Sequence, residues 1–314
     1  MNKNIRTALA ASAALALTLS VTACGRDSTS GTSSDNQQVT IALSTLNNPF
    51  FVDLRDGALA EAEVQGITLN VLDAQDDAAT QANQIQTAVT AKTAALIINP
   101  VDSDAATAAV KPALDGNLPI VAVDRGVTGV DVDSFIASDN VAGGAQAADA
   151  LAKAIGEKGK VIWLQGTAGT SASRDRGSGF ETQIATYSGI TVVAKQTADF
   201  DRTEGLDVTT NLMQANPDVV GIFAENDEMA LGAVQALGSK AGTTVFVVGF
   251  DGSDDGLKAV QSGTMVATVA QQPKELGKAA VDAIAKLLKG ETVDATQSMP
   301  VVTVTSDNIS DYIS

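Results

Sequence analysis

Val39-Thr40-Ile41-Ala42-Leu43-Ser44-Thr45-Leu46-Asn47-Asn48-Pro49-Phe50-Phe51 carries a short apolar run straight into amides, a proline and two phenylalanines. The run from Val39 to Ser44 has the length and makeup of a strand, and Val52 to Gln65 behind it has the Ala-rich makeup of a helix. A strand followed at once by a helix is the first half of a βαβ unit, and the rest of the chain repeats it. Strand-like runs recur at Ile67–Leu72, Ala94–Ile98, Ile120–Val123 and Ser134–Ala137, and then at Lys160–Leu164, Thr191–Ala194, Val219–Phe223, Thr244–Val248 and Val266–Val269. Helix-like segments lie between them at Gln81–Ala91, Ala105–Leu114, Gly144–Ile155, Thr203–Ala215, Met229–Leu237 and Glu275–Lys289. Asp102, Ser103 and Asp104 offer a cap for the helix at Ala105, and Gly116 a stop after it. Arg174–Tyr187 also reads as helix, although Gly177 and Gly179 interrupt it. The pattern predicts an α/β chain with parallel sheets, and from Val39 onward it is long enough for two domains of roughly 130 residues each.

In open parallel sheets a ligand sits outside the carboxyl ends of the strands. In the first set those ends lead to Asn48, Phe50 and Phe51, then to Asn99, to Asp124-Arg125 and to Ser138-Asp139. In the second they lead to the Gln165–Thr170 loop with Arg174 and Arg176, and then to Asp199-Phe200-Asp201, Glu225-Asn226-Asp227, Phe250-Asp251 and Gln271. Loops are polar in any case, and Asp139, Asp199, Asp227, Ser253 and Asp254 are read as ordinary loop polarity. Asp124 beside Arg125, and Phe250 beside Asp251, are different: each joins a charge that must be satisfied to a neighbour that satisfies it or excludes water. Only 4% of the residues are aromatic, so phenylalanine placed repeatedly at polar strand ends carries information. A sugar ring offers apolar faces that stack on aromatic rings and a rim of hydroxyls that pair with Asn, Asp and Arg. The set therefore suits a small polyol held in a closed cleft.

The N-terminus points outside the cytoplasm. Lys3 and Arg6 precede an apolar run, Ala8 to Val21, that is too short and too rich in Ala, Ser and Thr for a comfortable membrane span. Residues 1–23 read as a secretory signal ending in Val21-Thr22-Ala23-Cys24, which is similar to a bacterial lipobox. Cys24 is the sole cysteine, so it has no disulfide partner in the chain, and lipid attachment gives it a role. Residues 24–38 contain no aliphatic side chain and read as a flexible tether behind the anchored cysteine.

The chain carries 20 Lys and Arg against 37 Asp and Glu, and loss of the signal would remove Lys3 and Arg6 and leave it more acidic still. Such a surface repels phosphate, so no nucleic-acid partner is expected, and it repels anionic lipid, so membrane association would rest on the anchor. Histidine is absent, which removes the commonest general base and metal ligand. No metal and no cofactor are expected. Gly166-Thr167-Ala168-Gly169-Thr170-Ser171 lacks the Gly-Lys-Ser/Thr of a triphosphate cradle. Gly177-Ser178-Gly179 lacks the spacing of a nucleophile elbow, and Asp251-Gly252-Ser253-Asp254-Asp255 fails the spacing of a calcium loop and reads as a turn. A carboxylate pair assembled by folding could still serve glycoside chemistry, an enzyme reading that the residues leave open.

Several stretches together resemble the ribose-binding proteins of bacterial ABC importers, within the type I periplasmic sugar-binding family. They are Ser44–Phe51, Ile98–Ala105, Ala137–Asn140, Leu164–Phe180, Ala198–Arg202, Ala224–Gly232, Val248–Gly252 and Ala267–Gln271, and the likeness spans about Val39 to Thr305. It implies two Rossmann-like lobes joined by a three-crossover hinge that close on one monosaccharide. The implied N-terminal lobe is 39–138 plus 272–300, and the C-terminal lobe is 139–271 plus 301–314. Carried over by motif, hydrogen bonds to the sugar fall to Asn48, Asp124, Arg125, Arg176, Asn226, Asp251 and Gln271, with Phe50, Phe51, Phe200 and Phe250 around the ring and Asn99 behind the pocket floor. D-ribose is the implied ligand ahead of allose, xylose or inositol, an ABC permease the implied partner, and a monomer the implied state. Glu225 departs from the resemblance: it stands where the ribose-binding members carry glutamine, and is expected to add an acid near the cleft mouth. A chemoreceptor or sensor-kinase role would use the same cleft. A sugar-responsive repressor would need an N-terminal helix-turn-helix where this chain has a signal and tether.

Overall fold

The computed structural model describes residues 38–313, so the signal segment 1–23, the lipidation at Cys24 and all of the tether except Gln38 lie outside the described residues. Gln38 itself opens the first strand rather than closing the tether.

Two six-stranded sheets organise the chain. The first runs in the order β11-β5-β4-β3-β1-β2, with β1 at Gln38–Leu43, β2 at Thr68–Asp73, β3 at Ala95–Ile98, β4 at Ile120–Val123, β5 at Ser134–Ser138 and β11 at Thr296–Met299. The second runs β12-β10-β9-β8-β6-β7, with β6 at Lys158–Gln165, β7 at Gly189–Thr197, β8 at Val219–Ala224, β9 at Phe246–Asp251, β10 at Ala267–Ala270 and β12 at Val302–Thr305. Every pairing is parallel except that of β10 with β12. Helices cover both faces of each sheet, which is why β3 and β4 are buried at every position and read as unbroken apolar runs.

On the first sheet, α1 (Pro49–Gln65) and α9 (Pro273–Leu288) share one face, while α2 (Ala78–Thr90) and α3 (Ala106–Asp115) cover the other. On the second, α4 (Asn140–Ala154) and α5 (Ser171–Ile184) cover one face. The other face is covered by α6 (Arg202–Ala215), α7 (Asp227–Leu237) and α8 (Asp254–Gln261). None of the described helices is long and apolar enough to cross a membrane.

The chain passes between the sheets three times. It leaves β5 through Asp139 into α4, leaves β10 through Gln271-Gln272 into α9, and leaves β11 through Pro300-Val301 into β12.

Differences from the sequence reading have local causes. The two glycines of α5 do not break it, because each permits a close approach: a Cβ on Gly179 would stand 2.0 Å from Val141 O of α4, and one on Gly177 2.6 Å from the Trp163 ring. Ser253 does not sit in a simple turn but caps α8, accepting the Gly256 amide. That helix is short, Asp254–Gln261, and its apolar face consists of Leu257, Ala259 and Val260 behind an acidic first turn. Asp227 is not loop polarity either. It is fully buried, and its carboxylate accepts Ser253 N, Ser253 Oγ and Thr268 Oγ1 at 2.7 to 2.9 Å, tying α7 to the ends of β9 and β10.

Candidate functional site

The carboxyl ends of both sheets face one small buried cavity between the lobes. Asn48, Phe50, Phe51, Asp124 and Arg125 line it from the first lobe, and Ala172, Arg176, Phe200, Asn226 and Asp251 from the second, with Gln271 at the crossing.

The local chain conformation sets these side chains. Asn48 caps α1, its Oδ1 accepting Phe50 N at 2.9 Å, and Pro49 at the first helical position fixes the entry of the helix. Phe50 and Phe51 follow as a T-shaped pair 5.2 Å apart that both walls the cavity and packs into the core of the first lobe. Asn226 plays the matching part in the second lobe, capping α7 through Met229 N while its Nδ2 donates to Phe200 O.

Asp124, Phe200 and Asp251 have φ of 64°, 59° and 126°. Non-glycine residues at positive φ carry backbone strain, and three of them at one cavity are a concentration of the kind found at ligand sites. At Asp124 the strain has a visible form: Arg125 N donates to Val123 O at 2.7 Å, a three-residue turn that aims both charged side chains the same way.

The polar atoms are held from behind and left open in front. Asn99 is wholly buried: its Oδ1 accepts Ser44 N and Ser44 Oγ, and its Nδ2 donates to Asp124 Oδ2 at 3.1 Å. Arg125 Nη1 donates to Pro100 O, and its guanidinium lies between the Phe51 and Phe200 rings, 5.1 and 5.5 Å from their centroids. Arg176 Nε donates to Asn140 Oδ1, and Gln271 Nε2 to Asp251 Oδ1 at 2.7 Å. Asp124 Oδ1, Arg125 Nε and Gln271 Oε1 are buried without a protein partner. Three such atoms around one cavity are what a polyhydroxylated ligand would satisfy.

Two acids and two guanidinia thus share a buried space, in loose pairs of 3.8 Å for Asp124 with Arg125 and 3.7 Å for Asp251 with Arg176. Burial pushes the carboxyl of Asp124 above its ordinary range, with Arg125, Arg176 and Asn99 pulling the other way. Burial raises Asp251 further, opposed chiefly by Arg176. The Arg125 guanidinium is lowered by the same loss of water and supported by Asp124. All four groups gain from hydroxyls that solvate them.

Phe250 lies elsewhere. Neighbours in a strand face opposite sides, so Asp251 turns to the cavity while Phe250 enters the core of the second lobe beneath Arg176, whose guanidinium carbon lies 3.9 Å from its ring centroid. Glu225 is also not at the mouth of the cleft: it is fully buried behind the cavity wall, and burial raises its carboxyl to about 7. Sequence reading missed Ala172 and Asn140; the second sits directly after the first crossing, a position a hinge-based search would have flagged.

The lobes also touch beside the cavity. Ser103 N donates to Gly169 O, Ser171 N to Ser103 Oγ at 3.0 Å, and Gly126 N to Ser171 Oγ at 2.9 Å.

Two lobes closing over a small charged cavity with aromatic walls define a cleft-type binding protein for a compact polar solute. Residues 39–292 match the periplasmic binding protein domain, and the chain belongs to that family. It is 48% identical over 295 residues to the ribose import binding protein of Salmonella typhimurium, covering 94% of this chain and 96% of that protein. To the ribose import binding protein of Bacillus subtilis it is 44% identical over 271 residues, covering 86% and 88%. Among solved structures, a carbohydrate transporter solute binding protein from Agrobacterium radiobacter in complex with D-arabinose superposes with a TM-score of 0.85 at 33% identity, covering 89% of this chain and 97% of that one.

Proposed function

We propose that this chain is the extracytoplasmic solute-binding lipoprotein of an ABC sugar importer, capturing D-ribose or a close monosaccharide and presenting it to a membrane permease. The observation that carries the reading is the enclosed cavity in which Asp124 Oδ1, Arg125 Nε and Gln271 Oε1 have no protein partner between the rings of Phe50, Phe51 and Phe200. The choice of ribose is supported by the ribose import binding proteins among its relatives.

The ligand residues are Asn48, Phe50, Phe51, Asp124, Arg125, Arg176, Phe200, Asn226, Asp251 and Gln271, with Asn99 and Phe250 behind them. They divide between two lobes, 39–138 plus 272–300 and 139–271 plus 301–314, so the sugar meets all of them only in the closed state and shifts the population toward it. The protein works as a monomer, without catalysis, held to the outer face of the membrane by lipid on Cys24.

A thermal-shift panel of pentoses and hexoses tests the reading. D-ribose is expected to give the largest shift, and a shift from another sugar with none from ribose would overturn the ligand while leaving the family untouched. Cys24→Ser is expected to release the protein from the membrane fraction, and product formed from the bound sugar on incubation would refute a purely binding role.

A further inference from the structure

Glu225 follows β8 directly, yet its side chain turns away from the cavity into the second lobe. Its Oε1 accepts Trp163 Nε1 at 2.8 Å, while Oε2 accepts Gly166 N at 2.7 Å and the Ser173 hydroxyl. Gly166 and Ser173 are the two ends of the segment that joins β6 to the first turn of α5. Gly169 and Ser171, inside that segment, make the hydrogen bonds that reach across to Ser103 and Gly126 of the other lobe. Helix α5 rests on the same carboxylate at Gly177, where a Cβ would stand 3.2 Å from Glu225 Oε1 and 2.6 Å from the Trp163 ring. The main-chain oxygen of Glu225 accepts Arg176 Nη1 at 2.8 Å. One residue therefore grips, with its side chain, the loop that bridges the lobes and, with its main chain, an arginine that faces the cavity.

We infer that Glu225 is a positioning residue of the sugar site: its ionised carboxylate pins both ends of the 166–173 segment, and sugar affinity falls when the carboxylate takes up a proton. The inference rests on the sugar-binding reading above and adds to it a residue that touches no sugar.

The donor set dictates how the proton acts. An indole N–H and a backbone N–H can only donate, so of the three partners only the Ser173 hydroxyl can accept. A proton on the carboxyl must therefore sit on Oε2 and point at Ser173, whose own hydrogen swings away. The bonds from Trp163 and Gly166 then lose their charge assistance, which is about half of their strength. Burial places this change near neutral pH, with the carboxyl raised to about 7 against the opposing pull of its three donors and Arg176.

The charged groups nearby are turned to other partners. Arg176 on α5 faces Asp251 on β9, and Lys195 on β7 covers the outer face of Trp163 while paired with Glu181 on α5. Asp227, next but one in the chain, is turned to Ser253 and Thr268. The chain has no histidine to titrate in the same range, and Trp163 is its sole tryptophan. The indole N–H is thus a direct reporter of the Glu225 proton.

The test uses the mature protein and its Glu225→Gln variant, an isostere of the protonated acid. Without sugar, the NMR signals of the Trp163 indole N–H and the Gly166 amide are expected to titrate together near neutral pH and to stop doing so in E225Q. With D-ribose, calorimetry is expected to show about fivefold weaker binding at about pH 5.5 than at about pH 8, and in E225Q weaker binding than wild type at about pH 8 with a smaller pH dependence. Equal ribose affinity at the two pH values in the wild type, or a pH dependence undiminished in E225Q, would overturn the inference. So would an indole signal that does not titrate. Failure of ribose to bind at either pH, with both NMR signals still titrating and still lost in E225Q, would overturn the ribose assignment and uphold the carboxylate's hold on the segment.

Discussion

Arg176 lies over the Phe250 ring, with its guanidinium carbon 3.9 Å from the centroid, while its Nη1 and Nε are held by Glu225 O and Asn140 Oδ1. A buried arginine held on a ring and by two oxygens has one orientation, and the remaining edge of its fork faces the cavity. The aromatic platform works at a distance from the ligand by keeping that fork still.

Phe250→Leu should keep the core of the second lobe filled with an apolar side chain while removing the platform. We expect ribose affinity to fall by about tenfold, corresponding to the 1 to 2 kcal/mol of a desolvated cation–π contact. Titration calorimetry beside a thermal melt checks this, and an unchanged dissociation constant would show that the ring only fills space.

Asp124 stands between Asn99 Nδ2 behind it and Arg125 beside it, with Oδ1 open to the cavity. Asp124→Ala removes a charged acceptor and leaves a buried guanidinium without its neighbour. The expected cost is about 3 kcal/mol or more of ribose affinity, a loss above a hundredfold. Calorimetry giving the wild-type constant would remove Asp124 from the site.

Ser103 joins the lobes twice, through its hydroxyl to Ser171 N and its amide to Gly169 O. Ser103→Ala deletes the first of these bonds and touches nothing in the cavity. Since the closed state alone uses it, affinity should weaken by about fivefold, the value of one ordinary hydrogen bond of about 1 kcal/mol. Small-angle scattering without sugar should show the same or a larger radius, and a tighter-binding variant would contradict a latch.

Burial raises the carboxyl of Asp227 to about 6 from the ordinary 3.8. A carboxyl raised on folding binds its proton more tightly in the folded state, so its stabilising contribution is complete below about pH 3.8 and is lost as the pH climbs through about 6. The difference of about two pH units corresponds to about 3 kcal/mol. Asp227→Asn cannot titrate, so its stability relative to wild type should rise by up to that amount between about pH 4 and pH 7.5. Denaturant melts at the two pH values measure it; a constant gap between the proteins would refute the shift.

How far the sequence foretold this depends on what each residue answers to. Apolar runs bounded by polar strand ends located every strand from β1 to β10; the inner strands are buried on both faces and so apolar, while the edge strands β2 and β7 show shorter apolar runs. The same logic found Asp124-Arg125 and Asp251. It failed at Phe250, where the two-residue alternation along β9 separates neighbours that look like one motif. It failed at Glu225 and Asp227, since an acid at a strand end reads the same whether it meets water or three donors within the fold. The contact between Ser103 and Ser171 joins residues of opposite lobes and had no local signature at all.

Helix α9 comes from residues 273–288, yet Leu276, Ala280, Val281 and Ile284 fill the core of the first lobe against α1, and β11 then pairs with β5. That lobe cannot be finished early: until residues 273–299 are made, the side of α1 and of the sheet that α9 covers stays exposed and β5 lacks its outer neighbour. The interleaved connectivity thus delays native packing of the first lobe until α9 and β11 have been made, although most of its strands come first.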